Sequence, residues 1–260
     1  MTSLRARIRA GETLLGCFIT WPVSGVIELA AIAGFDFVVI DVEHGFFSIE
    51  SVAAMVLAAD GAGIAVIVRA PSATSEQLGR YLDAGAAGTL LPRVESVAMA
   101  RTAIEALKFA PDGKRGLGGV RANRYATVPL GEFVRRSNDE TLIAVQIERE
   151  GALAELAAIA DEPAVDVLFV GPNDLSQALG APGDTTSKVF STEVARVASE
   201  AGRAGKAAGI MVARREDVTR LAELGYRFFT TSDRALLLEA GRRWREAVLP
   251  VRPMTRLERQ

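Results

Sequence analysis

The sequence predicts a (β/α)8 TIM barrel, and three observations carry that prediction. Short runs rich in Val, Ile, Leu and Phe alternate with Ala-rich amphipathic segments from one end of the chain to the other. Several of the short runs are apolar on both faces, the pattern of parallel strands covered by helices. Eight such units fit into 260 residues, the size of one closed barrel. An open doubly wound sheet would instead need a Gly-rich phosphate turn after an early strand, and none follows Phe18 or Ile40.

In chain order, strands are expected at Leu14–Thr20, Phe35–Val42, Ala65–Arg69, Thr89–Pro92, Leu142–Glu148, Val165–Val170, Gly209–Val212 and Phe228–Thr231. Helical segments are expected at Ser24–Ala33, Ser48–Ala59, Thr74–Ala84, Ser96–Phe109, Gly151–Ala160, Ser191–Ala208 and Glu216–Leu224. Two places break the rhythm. Residues 110–138 read as a long insertion before the fifth strand, with Gly, Arg and Pro but little core pattern. Residues 180–186 read as a Gly/Pro loop after the sixth. Long loops in compact domains tend to be functional or interfacial. With no composition shift or low-complexity tract, residues 1–260 are expected to form one barrel domain.

The totals narrow the function classes. A formal charge of -2 and a pI near 5.7 give no basis for a nucleic-acid or anionic-membrane partner. No stretch of about 18 uninterrupted apolar residues exists, so no membrane span is expected. The charged N-terminus lacks the apolar region of a signal peptide, and the protein is expected to be soluble and cytoplasmic. A single cysteine, Cys17, excludes an internal disulfide and a multi-cysteine metal cage. The one histidine, His44, excludes a zinc site of several imidazoles.

Active sites of such barrels lie at the C-terminal ends of the strands, and there the polar residues gather. Asp41, Glu43 and His44 follow the second strand, Arg69 ends the third, Arg93 and Glu95 follow the fourth, Gln146 and Glu148 lie in the fifth, and Gly171-Pro-Asn-Asp174 follows the sixth. Glu148 and Asp174 suit a hard divalent ion such as Mg²⁺ or Mn²⁺, although either can also cap the helix behind it. Asp41 stands three residues before His44, placed to accept a hydrogen bond from one ring nitrogen and raise the basicity of the other. Arg69 is suited to steadying an enolate. The backbone of Gly171, Pro172 and Asn173 at a helix start suits a carboxylate. Together the parts fit a small 2-oxo acid deprotonated or cleaved beside its carbonyl.

Six motifs then occur in a familiar order: Phe35-Asp-Phe-Val-Val-Ile-Asp-Val-Glu-His-Gly45, Val68-Arg-Ala-Pro71, Leu91-Pro-Arg-Val-Glu95, Arg115-Gly-Leu-Gly-Gly119, Gln146-Ile-Glu148 and Phe169-Val-Gly-Pro-Asn-Asp-Leu-Ser176. In these the chain resembles the HpcH/HpaI family of class II, metal-dependent pyruvate aldolases, over about Leu14 to Leu238. The resemblance implies reversible cleavage of a 4-hydroxy-2-oxo acid, of the hydroxy-oxo-dicarboxylate or 2-keto-3-deoxy sugar acid type, to pyruvate and an aldehyde through a metal-bound enolate. It implies Mg²⁺, Mn²⁺ or Co²⁺ on Glu148 and Asp174, His44 as base paired with Asp41, Arg69 on the enolate, and Gln146 beside the pyruvate. Phe18 would line the pyruvate pocket and Met211 the aldehyde side. It also implies a homohexamer, a trimer of dimers, in which a neighbouring subunit completes the site near Asp83 and Arg121. The rivals are a Schiff-base aldolase, a citrate-lyase-β or malyl-CoA-type lyase, and a barrel that only binds. Asn173 departs from the family's commoner Ala, which leaves the natural substrate open.

Overall fold

The computed structural model describes residues 2–212 and 214–248. Eight parallel strands close in sequence order into a barrel: β1 (Leu14–Ile19), β2 (Phe37–Asp41), β3 (Ala65–Arg69), β4 (Gly88–Leu91), β5 (Leu142–Ile147), β6 (Val167–Val170), β7 (Ala207–Met211) and β8 (Tyr226–Ser232), with β8 returning to pair with β1. The chain folds as the (β/α)8 barrel its strand rhythm predicts. The expected single unit of 1–260 runs past the described residues at its C-terminal end.

The two-residue period of a strand sorts its side chains into two cores. The outer core lies between sheet and helices and takes Ile19, Val38, Ile40, Val66, Val68 and their counterparts around the barrel. The inner core fills the lumen with Leu14, Phe18, Phe37, Val39, Ile67, Leu90, Ala144, Phe169 and Phe228. Its centre is aromatic: Phe37 stacks on Phe228 at 4.4 Å between ring centroids. Gly16 makes that stack possible, because a Cβ there would stand 2.2 Å from the Phe37 ring.

Element ends differ from expectation by a few residues, with four larger differences, one being the helix Asp233–Val248, which no expected segment covers. The segment expected as a helix over Ser191–Ala208 stops at Arg203, and its last residues belong to β7; Gly205, at φ +68°, makes the break. Residues 110–138 are not wholly irregular, since Leu130–Glu140 is a helix. Only Phe133 and Asn138 of it are buried, too thin an apolar stripe to read in sequence. A helix over Leu4–Arg9, opened by the Ser3 hydroxyl accepting from the Ala6 N–H, was not expected at all.

That first helix closes the lower end of the lumen. Leu4 and Ile8 join the inner core, and Arg5 reaches Asp166 at the entry to β6, its Nε donating to Oδ1 at 2.9 Å and Oδ2 at 3.0 Å. Asp166 also accepts from the Ile143 N–H at 3.1 Å, and Arg5 donates to the carbonyls of Asn138 and Asp139. Lys108 joins the same cluster through the carbonyls of Asn138 and Thr141. Burial pulls its ammonium down to about 8, and the nearby Arg5 adds to that. None of this touches the strand C-terminal ends. Substituting Asp166 with Ala strands a buried guanidinium and is expected to cost about 3–5 kcal/mol. At about 2–4 °C per kcal/mol for a chain of this size, thermal unfolding should fall by roughly 10 °C.

Candidate active site at the strand C-terminal ends

Continuing the inward-facing series of each strand by one step leads from the apolar lumen to the polar rim. Val39 is followed on the same face by Asp41, Ile67 by Arg69, Ala144 by Gln146 and then Glu148, Phe169 by Gly171, and Gly209 by Met211. The residues singled out from sequence on these strands therefore converge over one mouth.

Arg69 sits at the centre of the mouth. Its Nε donates to Asp41 Oδ1 at 2.9 Å and its Nη2 to Oδ2 at 2.7 Å, a bidentate pair between two buried side chains. The register of β2 on β3 sets Asp41 beside Arg69, so the pair follows from strand pairing. The guanidinium lies 5.0 Å above the Phe18 ring, which puts Phe18 on the floor beneath it.

This pairing differs from the arrangement expected for His44. The Asp41 carboxylate is engaged by the Arg69 guanidinium and by the backbone N–H of His44, at 3.1 Å. The imidazole, half exposed, turns its Nε2 toward Glu43 Oε2 at 3.9 Å instead. Asp41 thus orients His44 through its main chain. The i to i+3 spacing was a fair guide to proximity, but the cross-strand arginine, invisible to local spacing, offers the stronger partner.

Glu43 was left without a role by the sequence, and the structure puts it in the middle of the cluster. Its side chain is 3% exposed, Oε1 accepts from Arg93 Nε at 2.6 Å, and Oε2 lies 3.3 Å from Arg69 Nη1. Arg93 has φ +51°, a left-handed backbone just past the end of β4, and its own N–H donates to Glu148 Oε1 at 2.8 Å. Its position in Leu91-Pro-Arg-Val-Glu95 was the available signal; the backbone contact was not.

Glu148 lies 1% exposed just beyond β5. It accepts from the Arg93 N–H and from the Gln146 amide. Burial pushes its carboxyl up to about 7, and the charges of Asp174 and Glu43 add to the rise against the pull of the Arg93 N–H. Gln146 Oε1 is buried with no hydrogen-bond partner among the described residues. Gly171 passes directly over this carboxylate, where a Cβ would meet Glu148 Oε2 at 2.1 Å. Asp174 follows in the first turn of the helix Pro172–Ala178. No group of three or more His, Cys, Asp or Glu arranged for a metal exists among the described residues.

Met211 ends β7 and borders, with Pro172, a cavity of about 420 Å³ lined also by Thr185, Phe190 and Arg214. Asp83 and Arg121 are not brought to this mouth. Asp83 pairs with the buried Arg115 at 2.6 Å, and Arg121 binds Asp60 and the carbonyl of Ala84. Both lie where the chain enters strands β3 and β4, at the opposite end of the barrel.

Comparison with known proteins gives the family. The family model described as HpcH/HpaI aldolase/citrate lyase matches residues 14–233. A hydroxypyruvate/pyruvate aldolase of Delftia acidovorans is 31% identical over 239 residues, covering 91% of this chain and 88% of the relative. A 4-hydroxy-2-oxo-heptane-1,7-dioate aldolase of Shigella sonnei is 32% identical over 241 residues, covering 92% and 91%. The crystal structure of an HpcH/HpaI aldolase/citrate lyase family protein from Burkholderia cenocepacia superposes with a TM-score of 0.89 at 33% identity, over 94% of this chain and 98% of that one. The chain therefore belongs to the HpcH/HpaI aldolase/citrate lyase family and is a carbon–carbon lyase.

Proposed function

We propose that the chain catalyses the divalent-metal-dependent, reversible aldol cleavage of a 4-hydroxy-2-oxo acid to pyruvate and an aldehyde. The observation that carries this reading is the charge balance of the mouth. Four carboxylates, Asp41, Glu43, Glu148 and Asp174, stand against two guanidiniums, Arg69 and Arg93. The guanidiniums are spent on Asp41 and Glu43. Glu148 is left with neutral hydrogen-bond donors only, and burial, with the charges of Asp174 and Glu43 beside it, raises its carboxyl.

The residues present fit a hard divalent cation. Glu148 and Asp174 offer oxygen donors, Gln146 Oε1 is an unpartnered buried oxygen beside them, and the bare backbone at Gly171 leaves the approach open. Two carboxylates with the remaining positions left to oxygen from water or substrate suit Mg²⁺ or Mn²⁺. When bound, such an ion supplies Lewis acidity at the 2-oxo group.

The chain's own residues supply the rest. The exposed His44 ring takes the proton from the C4 hydroxyl, the C3–C4 bond breaks, and its electron pair passes into the enolate of pyruvate as the aldehyde leaves. Arg69 meets the developing negative charge with the guanidinium edge that Asp41 leaves unused. Gln146 packs beside the oxo acid, and the main chain of Gly171 and Asn173 receives its carboxylate. Protonation at C3 completes pyruvate. Met211 and the adjoining cavity border the side on which the aldehyde departs.

A Schiff-base route needs a lysine among these groups, and no lysine is paired with Asp41, Glu43, Glu148 or Arg69 among the described residues. Lys108 and Lys206 donate to carbonyls at the lower end of the barrel, Lys114 pairs with Glu105, and Lys188 opens a helix.

We also infer that the chain works as an assembly. In the helix Asp233–Val248 only Asp233 is buried, while Leu237 and Trp244 are 63% and 73% exposed, and Leu29 and Ile32 on the helix Ser24–Ile32 are exposed as well. Exposed large apolar side chains on both helices are the surface on which a partner would pack. A neighbouring copy is also the means by which Asp83 and Arg121 would approach a mouth. Light scattering on purified protein should return a multiple of 27.6 kDa; a monomer at micromolar concentration would remove this part of the reading.

Chelation with EDTA is expected to abolish pyruvate release from a panel of 4-hydroxy-2-oxo acids, and Mn²⁺ or Mg²⁺ to restore it. Activity that survives chelation, with pyruvate trapped on the protein by borohydride, would overturn the metal-dependent reading. His44→Ala should lower kcat at least about 10²-fold, the usual scale for losing a general base. An unchanged rate would leave His44 without a part in proton transfer.

A further inference from the structure

The geometry points to Arg93 as a positioning residue that competes with Arg69 for Glu43 and so keeps one edge of the Arg69 guanidinium available to substrate. The inference rests on the aldolase reading above for what Arg69 does, but the competition itself is a property of the cluster.

Arg69 carries three donor nitrogens. Nε and Nη2 are committed to Asp41 in a close bidentate pair. The third, Nη1, is the edge left for an incoming oxyanion, and the one group beside it is Glu43 Oε2, at 3.3 Å. That separation is beyond the usual range of a charge-assisted hydrogen bond. Glu43 makes its close contact with Arg93 Nε, at 2.6 Å through the other oxygen. Two guanidiniums thus share one carboxylate unequally, and Arg93 has the larger share.

Without Arg93, the nearest guanidinium left to Glu43 is that of Arg69, with the His44 ring farther off at 3.9 Å. A buried carboxylate in that position draws in the nearest donor, because an unpaired buried charge is costly. Arg69 would then be held by two carboxylates, with its positive charge offset and Nη1 drawn away from substrate. Arg93 prevents this from the rim, where its own side chain is half exposed. Its left-handed backbone has a second consequence: the N–H that holds Glu148 and the guanidinium that holds Glu43 come from one residue. A single residue therefore secures a carboxylate on each side of the mouth.

The two contributions can be separated. Arg93→Gly removes the guanidinium while keeping the N–H, and glycine tolerates φ +51° without strain. We expect this variant to keep its affinity for Mn²⁺ within about threefold, measured by calorimetry. It should bind oxalate, a planar stand-in for the pyruvate enolate, at least about tenfold more weakly on the Mn²⁺-loaded protein, with a similar fall in kcat, the scale of one charge-assisted hydrogen bond. Adding Glu43→Gln should then restore most of the loss, since the neutral amide no longer neutralises Arg69. A merely structural role for Arg93 gives the opposite pattern, in which the double variant is as poor as Arg93→Gly or poorer; that result, or wild-type oxalate binding in Arg93→Gly, would overturn the inference.

A second measurement needs neither metal nor activity. In thermal unfolding of the metal-free protein, Arg93→Gly and Glu43→Gln should be non-additive, the double variant losing less than the sum of the singles. Additive losses would show that the Arg93–Glu43 contact carries no energy, and the competition would fall with it. Failure of the unmodified protein to bind oxalate with Mn²⁺ would instead count against the aldolase reading, and the unfolding cycle would then decide the competition alone.

Discussion

Charges carried inward on the strands of a closed barrel have nowhere to go except onto one another, and that constraint organises the mouth. Asp41 and Arg69 meet because β2 and β3 pair in a register that sets them side by side. Once they are joined, every other polar group has to be placed around a bidentate pair that leaves one nitrogen edge of the arginine uncommitted. Glu43 settles between two guanidiniums, and Glu148 takes a main-chain N–H and an amide. The surplus of negative charge collects on the side of β5 and β6, where the backbone at Gly171 lies bare. In the proposed function, cation binding and the Arg69 contact to the enolate fall on different strands around one cleft.

The barrel was legible in the sequence because its signal is repeated around the fold. Runs apolar on both faces, spaced by amphipathic segments, have few other solutions, and the residues on the inner face near strand ends can be counted off two at a time. Asp41 and Arg69 stand out as polar residues at the ends of expected strands, and Gln146 and Glu148 by their alternation in the fifth. Partner choice was harder to read. Local spacing joined Asp41 to the His44 ring, whereas the register across two strands gives Asp41 to Arg69. Glu43 stayed without a role because both its partners, Arg69 and Arg93, arrive from other strands.

Other elements escaped for different reasons. The helix Leu4–Arg9 is short and rich in arginine, so it reads as a solvated tail until Arg5 is seen inside the barrel bonded to Asp166. The helix Leu130–Glu140 buries too few residues to show a stripe. Asp83 and Arg121, assigned to the site by resemblance, lie at the far end of their own barrel, bound to Arg115 and Asp60. Their assignment depends on a second chain, which a reading of one chain does not supply.

The division of the barrel into a closed lower end and a charged upper end bears on how such a chain changes over time. The Arg5, Asp166 and Lys108 cluster holds the strand entries together without touching the groups at the exits. Substitutions at the two ends share no partners and should combine close to additively. Met211 and the cavity beside it lie outside both clusters. That border can accept new side chains while the charge arrangement over the lumen stays as it is. Under the proposed aldol cleavage, drift at the edge of β7 changes which aldehyde is tolerated, with stability held at one pole of the barrel and the reaction at the other.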